Sequence, residues 1–359
     1  CTGNKQEDGT LADRTVSRKQ QKKAKSKTRE WFDALLFALV AAIIIRTFFF
    51  EAFRIPTPSM EKTLLVGDFL LVSKVHYGPR TPITLGIPFT GIYIKGLELP
   101  FTRLPGLTHV KRYDVMVFNW PVEDKPIDRK THYIKRVIGL PGDTVLIRNK
   151  VVYVAGDSLP FLPTMQQEWL VRTQERVILP LRRLEALGVE EIRQTREPNL
   201  YLINATFEAV REIASWPYVV EVEPFVLPPS YRDPQTFPPG KGFNRDQYGP
   251  LFIPAKGQTV TLTDDNWSAL EPVITRYEHH QARRLGPGRF EIDGVETKTY
   301  TFAQNYYFVM GDNRDDSLDS RFWGYVPEDH VVGKAFIIYF SWDTRRNIPR
   351  LSRIFKLIH

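Results

Sequence analysis

Three stretches of the chain carry residue types able to do chemistry. The first runs from Ile55 to Phe69 and holds Ser59 between Pro58 and Met60, in a turn stiffened by Pro56 and Pro58. A serine hydroxyl becomes a nucleophile only when a neighbouring group takes its proton; by itself Ser59 reads equally as the N-cap of a short helix. The second runs from Tyr133 to Asp143 and sets Lys135 among apolar residues of a predicted strand that ends at Pro141-Gly142. A strand lysine ordinarily faces solvent. Buried, it loses its preference for the ammonium form, and the neutral amine can accept a proton from a serine, the Ser-Lys variant of the triad logic. The third runs from Gly311 to Gly324 and is dense in Asp, Asn, Ser and Arg. Its Asp312, Asn313, Asp315 and Asp316 are oxygen donors, but they lack the spacing of a helix-loop-helix calcium site, and Arg314 interrupts them. His279-His280 has no evident third ligand, so no metal and no cofactor is expected.

Taken in order, IPTPSM followed by LLVGDF, KRYDVMVFNW, YIKRVIGLPGD and GDNRDDSLDSRFWGYVP resemble the successive sequence boxes of bacterial type I signal peptidases. The resemblance implies a mainly β catalytic core shared with the self-cleaving SOS repressors. It also implies removal of signal peptides from exported preproteins after small-x-small sites, through an acyl-enzyme. By position, Ser59 matches the nucleophile and Lys135 the general base. Thr57, with the Ser59 amide, matches the oxyanion hole, and Ser317 the serine that positions the base amine. Asp319 and Arg321 match structural supports of that loop. Ile55, Pro56, Leu64, Leu70, Val117, Tyr133 and Ile134 match the lining of the pockets for the residues one and three before the cleaved bond. Pro58 stands where Gly is frequent in the family, Tyr113 where the third box usually has Gly, and Asp316 where Asn is frequent.

The elements that must position these groups follow from composition. Of 359 residues, 42% are apolar and 25% charged, enough for a substantial core, and Cys1 is the single cysteine, which excludes an intrachain disulfide. The net charge of +8 is concentrated between Arg14 and Arg29, just before an apolar run from Trp31 to Phe50. At about 1.5 Å per helical residue that run spans about 30 Å, a bilayer core. A basic flank on its N-terminal side predicts an N-terminus on the cytoplasmic face. Glu51-Ala52-Phe53-Arg54 offers no small-x-small site, so the helix is read as a retained anchor.

Beyond it, short alternating or β-branched runs predict a mainly β domain, with strands at Phe69–Val75, Asp114–Phe118, Tyr133–Ile138, Thr144–Ile147, Val151–Val154, Thr259–Thr263, Phe290–Ile292, Val295–Phe302, Tyr306–Met310 and Ala335–Phe340. Helices are predicted near Leu181–Leu187 and Ala205–Ala214, the latter capped by Asn204. The expected organisation is a basic cytoplasmic tail (1–30), a transmembrane helix (31–50), a catalytic core in two parts (51–154 and 292–345), an inserted non-catalytic subdomain (155–291) and a C-terminal basic and apolar tail (346–359). Signal-peptide-bearing preproteins and the lipid bilayer are the expected partners, at the outer face of a bacterial inner membrane. No helix-turn-helix pattern precedes Ser59, which argues against nucleic acid and against a self-cleaving regulator. A non-enzymatic paralogue would be expected to lack Ser59 or Lys135, and both are present. A binding role for the Pro-rich, aromatic middle segment is compatible with proteolysis.

Overall fold

The computed structural model describes residues 2–3, 27–86 and 92–358, so most of the expected basic tail lies outside the described residues. The chain divides into two compact units, residues 1–43 and 44–359. The first contains most of α1 (Lys27–Ile44), which buries none of its residues; Trp31, Phe32, Leu35 and Phe37 are all exposed. With the π-helical turn Ile45–Phe49 it forms a 23-residue segment of mean hydropathy 2.2, long and apolar enough to cross a membrane. The helix begins before Trp31 because Lys27 to Glu30 are tolerated in a helix although they carry no apolar pattern. It ends where Phe50 turns extended, with φ −135° and ψ 143°.

The second unit is mainly β. Its principal strands are β1 (Phe50–Arg54), β2 (Asp68–Ser73), β3 (Val115–Asn119), β4 (His132–Gly139), β5 (Thr144–Arg148), β6 (Val151–Val154), β7 (Gln166–Thr173), β8 (Leu200–Thr206), β9 (Val219–Pro224), β10 (Tyr248–Phe252), β11 (Tyr306–Met310) and β12 (Val331–Asp343). The main sheet is antiparallel in the order β1, β2, β12, β3, β4, β11, ending on Val326–Pro327. β3 shows why it sits centrally. Val115 and Val117 enter an apolar cluster with Leu70, Val72 and Ile338, while Met116 and Phe118 enter a second with Val137 and Val309. A strand apolar on both faces, as β3 is from Val115 to Phe118, is stable only when both faces are covered.

Within residues 155–291, read from sequence as one inserted subdomain, two separate packings form. Ile192–Gln194, β8, β7 and β9 make a sheet that packs α2 (Leu181–Ala186) and α3 (Phe207–Ala214) over its own core, including Trp169, Val171, Leu184, Ile203 and Ile213. β10 instead returns to pair with β5, and Tyr248, Phe290, Phe302 and Phe308 share one core with Ile138, Val145 and Val154. The helix predicted from Ala205 starts at Phe207, because Thr206 accepts the Ala209 N–H as N-cap while Asn204 and Ala205 belong to β8. The strand predicted over Val295–Phe302 breaks in two: Val295–Thr297 pairs with Arg289–Ile292, and Thr299–Thr301 pairs with Thr259–Thr261. Residues 346–358 do not trail away, since Ile348–Pro349 and Lys356–Leu357 pair with β12 and Ile358 is buried.

Candidate active site

After β1 the chain is held back onto β2 by Ile55 N–H donating to the Asp68 carbonyl at 2.8 Å. Thr57 is extended, and Pro58 opens a single 3-10 turn, Pro58–Met60. Proline suits the first position of such a turn because its φ is fixed and it has no N–H to leave unpaired. The first amide the turn presents is therefore that of Ser59, and the buried Met60 pins the turn into the core.

Lys135 arrives from β4. That strand pairs with β3 along His132–Arg136 but with β11 only from Arg136 onward, so the edge His132–Lys135 runs past the end of β11. Lys135 Nζ lies 2.7 Å from Ser59 Oγ and 3.1 Å from the Ile134 carbonyl oxygen, and both side chains are buried. Burial, the largest influence, pushes the amine down to about 8 against the upward pull of Asp319, Asp312 and Asp316. A base with that value is substantially neutral in mildly alkaline water, as proton abstraction from a hydroxyl requires.

The loop after β11 closes the site from the other side. The Asn313 N–H donates to the Ser59 carbonyl at 3.1 Å. Gly311 is there because nothing larger fits: a Cβ would lie 2.2 Å from Ser317 Oγ and 2.5 Å from the Ser59 carbonyl oxygen. Gly311→Ala is therefore expected to push the Ser59 turn away from Lys135 and lower turnover by about 10²-fold, the scale of a displacement near 1 Å. Steady-state kinetics on folded variant check this, and wild-type turnover would refute it. Below Gly311, Asp319 accepts its N–H at 3.0 Å and binds Arg321 through two contacts at 2.8 and 2.9 Å. Burial pushes the Asp319 carboxyl up, but Arg321 and the Gly311 N–H outweigh it and hold the group below its ordinary range.

Ser317 is brought beside this contact, where its hydroxyl is among the groups that lower Asp319, and the second contact of Lys135 goes to the Ile134 carbonyl. Thr57 is exposed and its side chain does not cap the turn. Ile55, Leu64, Leu70 and Val117 share one apolar cluster, with Ile134 against it. Pro56 is exposed, and Tyr133, one residue from Ile134, faces the other cluster, stacked on Trp120 at 5.2 Å, as alternation along a strand demands.

Two features were missed from sequence. Arg136, buried on the face opposite Lys135, binds both oxygens of Asp312 at 2.7 and 2.6 Å and the Tyr113 carbonyl at 2.7 Å. The available signal was an arginine next to a lysine on a strand buried on both faces, which requires an acidic partner. Asp315 is likewise engaged, by Lys150 and Arg245, so Asp312, Asp315 and Asp319 each turn to a lysine or arginine of the protein. Tyr113 takes φ 71°, the left-handed region that a glycine would enter without strain.

Residues 28–202 and 253–342 match the family model described as signal peptidase, peptidase S26. The chain belongs to this family. Signal peptidase I from Buchnera aphidicola (subsp. Acyrthosiphon pisum) is 29% identical over 91% of this chain and 81% of its own length. Signal peptidase I from Pseudomonas aeruginosa is 28% identical over 88% and 74%. A crystal structure of signal peptidase I from Enterococcus faecalis V583 aligns over 64% of this chain and 98% of its own, at 18% identity and a TM-score of 0.24. As a signal peptidase, this chain is a serine endopeptidase, a hydrolase that removes signal peptides.

Proposed function

We propose that Ser59 and Lys135 form the catalytic dyad of this signal peptidase, which cleaves exported preproteins after small-x-small sites from a domain anchored by α1. The observation that carries the reading is the 2.7 Å approach of a buried amine to a buried hydroxyl. The neutral Lys135 amine takes the Ser59 proton as Oγ attacks the scissile carbonyl carbon. The oxyanion that forms is received by the Ser59 N–H and the Thr57 hydroxyl. Lys135 returns the proton to the leaving amine, the C–N bond breaks, and an ester on Ser59 remains. Water, deprotonated by Lys135, then hydrolyses that ester and frees Ser59. In this arrangement the Ile134 carbonyl, rather than Ser317, orients the resting amine.

An extended substrate is matched by the His132–Lys135 edge, whose backbone can pair with it while alternate side chains enter the cluster of Ile55, Leu64, Leu70, Val117 and Ile134. Such an apolar lining accepts Ala-sized groups and rejects large ones by steric overlap. A helix with no buried residue and a basic N-terminal flank supports a single span in the bacterial inner membrane, N-terminus cytoplasmic and catalytic domain on the periplasmic face. Confined to that membrane, enzyme and preprotein meet at raised effective concentration.

The test is cleavage of a preprotein with an Ala-x-Ala site in detergent micelles by folded wild type and Ser59→Ala. Only the wild type is expected to cleave, and changing the Ala before the cut to Phe is expected to lower its rate by about 10²-fold or more. Cleavage by Ser59→Ala removes the nucleophile assignment, and indifference to Phe removes the specificity.

A further inference from the structure

The β7–β8 sheet carries its own core, yet one of its residues reaches the nucleophile turn. Asn204 lies on β8 between Ile203 and Ala205, which face that core, so by alternation its side chain leaves from the opposite face. There its Nδ2 donates to Asn313 Oδ1 at 2.8 Å, with both residues buried. Asn313 passes the constraint on: its N–H donates to the Ser59 carbonyl at 3.1 Å, and its Nδ2 makes a longer bond, 3.4 Å, to the Pro58 carbonyl, which also accepts the Glu61 N–H at 2.8 Å. The sheet is also registered on this loop by the backbone edge of Gln166 on β7, whose N–H donates to the Asp312 carbonyl and whose carbonyl accepts the Arg314 N–H, each at 2.9 Å.

The Pro58 carbonyl belongs to the peptide unit whose other end is the Ser59 N–H. In a planar trans peptide those two groups point in opposite directions, so fixing the carbonyl fixes the aim of the N–H. Donation to the carbonyl also polarises the amide and strengthens its N–H as a donor. Asn204 meanwhile keeps a buried Oδ1 without a hydrogen bond, a cost that an apolar side chain at this position would avoid. It falls in residues 203–252, which the family match does not cover.

We propose that Asn204 is a positioning residue for peptide cleavage: through Asn313 it holds the Pro58–Ser59 peptide plane so that the Ser59 N–H faces the developing oxyanion. This rests on the reading of Ser59 as the nucleophile. An oxyanion exists only in the transition state, so loss of the aim lowers kcat and leaves KM in place. It also leaves the pH at which the rate rises unchanged, since that belongs to Lys135.

The experiment measures kcat, KM and the pH profile of the full chain in micelles for Asn204→Leu, Asn204→Ala, Asn313→Ala, the Asn204→Leu/Asn313→Ala pair and Ile213→Val, with thermal melting to establish folding. Ile213 lies in the core of the same subdomain. The expected result is a kcat lowered about tenfold in either Asn204 variant, with KM and pH midpoint unchanged, no further loss in the pair beyond Asn313→Ala, and wild-type kcat in Ile213→Val. Wild-type kcat in a folded Asn204 variant overturns the proposal. So does a loss that adds to that of Asn313→Ala, or one that Ile213→Val reproduces. Activity in Ser59→Ala would instead strike the nucleophile assignment, so the two failures are told apart.

Discussion

Lys135→Met and Ser59→Ala are each expected to lower cleavage by at least about 10⁴-fold, the scale seen when a member of a nucleophile and base pair is lost. For the wild type, the rate at low substrate should climb about tenfold per pH unit in the acid range and level off above about 8, where the amine becomes neutral. The same shift makes a second prediction, opposite in sign to the loss of activity. Lys135 has a folded value near 8 against an ordinary 10.5, so between these pH values the unfolded chain binds more protons and stability rises with pH. Below about 8 the full cost of burying the ammonium is present. Lys135→Met removes that cost and should be more stable than the wild type at neutral pH, by up to about 3 kcal/mol, with the difference fading towards pH 10.5. Denaturant unfolding at two pH values measures it. A rate that stays flat from pH 6 to 9, or a variant less stable than the wild type at neutral pH, would contradict a buried neutral base.

The main sheet was legible where strand identity rests on local pattern. β3 is apolar at every position but the last, β4 carries Val137 and Ile138 before a Gly, and β11 is Tyr-Tyr-Phe-Val-Met. β1 was not, because Phe50 continues the apolar helix run and only pairing with β2 draws it into the sheet. β7 was also hidden, since Gln-Gln-Glu-Trp shows no apolar alternation, while β9 alternates as Val220-Glu221-Val222-Glu223 but leaves Val220 exposed, so its pattern does not mark a buried face. β10 lies about a hundred residues from β5, and nothing local announces that it closes the first core rather than extending the inserted sheet. In the site, residue types suggested a hydroxyl and an amine, but neither alone distinguished chemistry from an N-cap and a solvated lysine. Their joint occurrence with the third stretch made the pairing readable, whereas Asn204 and the Arg136–Asp312 pair depend on contacts between segments far apart in the chain.

Asp319→Ala is expected to cost about 3–5 kcal/mol of stability, because it leaves the buried Arg321 guanidinium without its carboxylate and the Gly311 N–H without its acceptor. Asp319→Asn keeps an acceptor of the same shape without the charge, so its loss should fall between that of the wild type and that of the alanine variant. The pH dependence follows from the direction of the shift. The Asp319 carboxyl titrates below its ordinary 3.8, so its contribution is present above that value and is lost as pH falls through the lower folded value. The gap between the wild type and Asp319→Ala should therefore narrow in acid. Activity separates this role from chemistry: Asp319 touches Gly311 and Arg321, not the dyad, and acts by keeping Gly311 close enough for Asn313 to reach the Ser59 carbonyl. At a temperature where Asp319→Ala is folded, turnover should fall while the pH of half-maximal rate moves downward, the carboxylate that pulls Lys135 up the most having been removed. Chemical melts across pH and a rate profile of the same samples measure both. A melting curve for Asp319→Ala within about 1 kcal/mol of the wild type would mean that the pair does not support the loop, since a buried partner cannot be removed so cheaply.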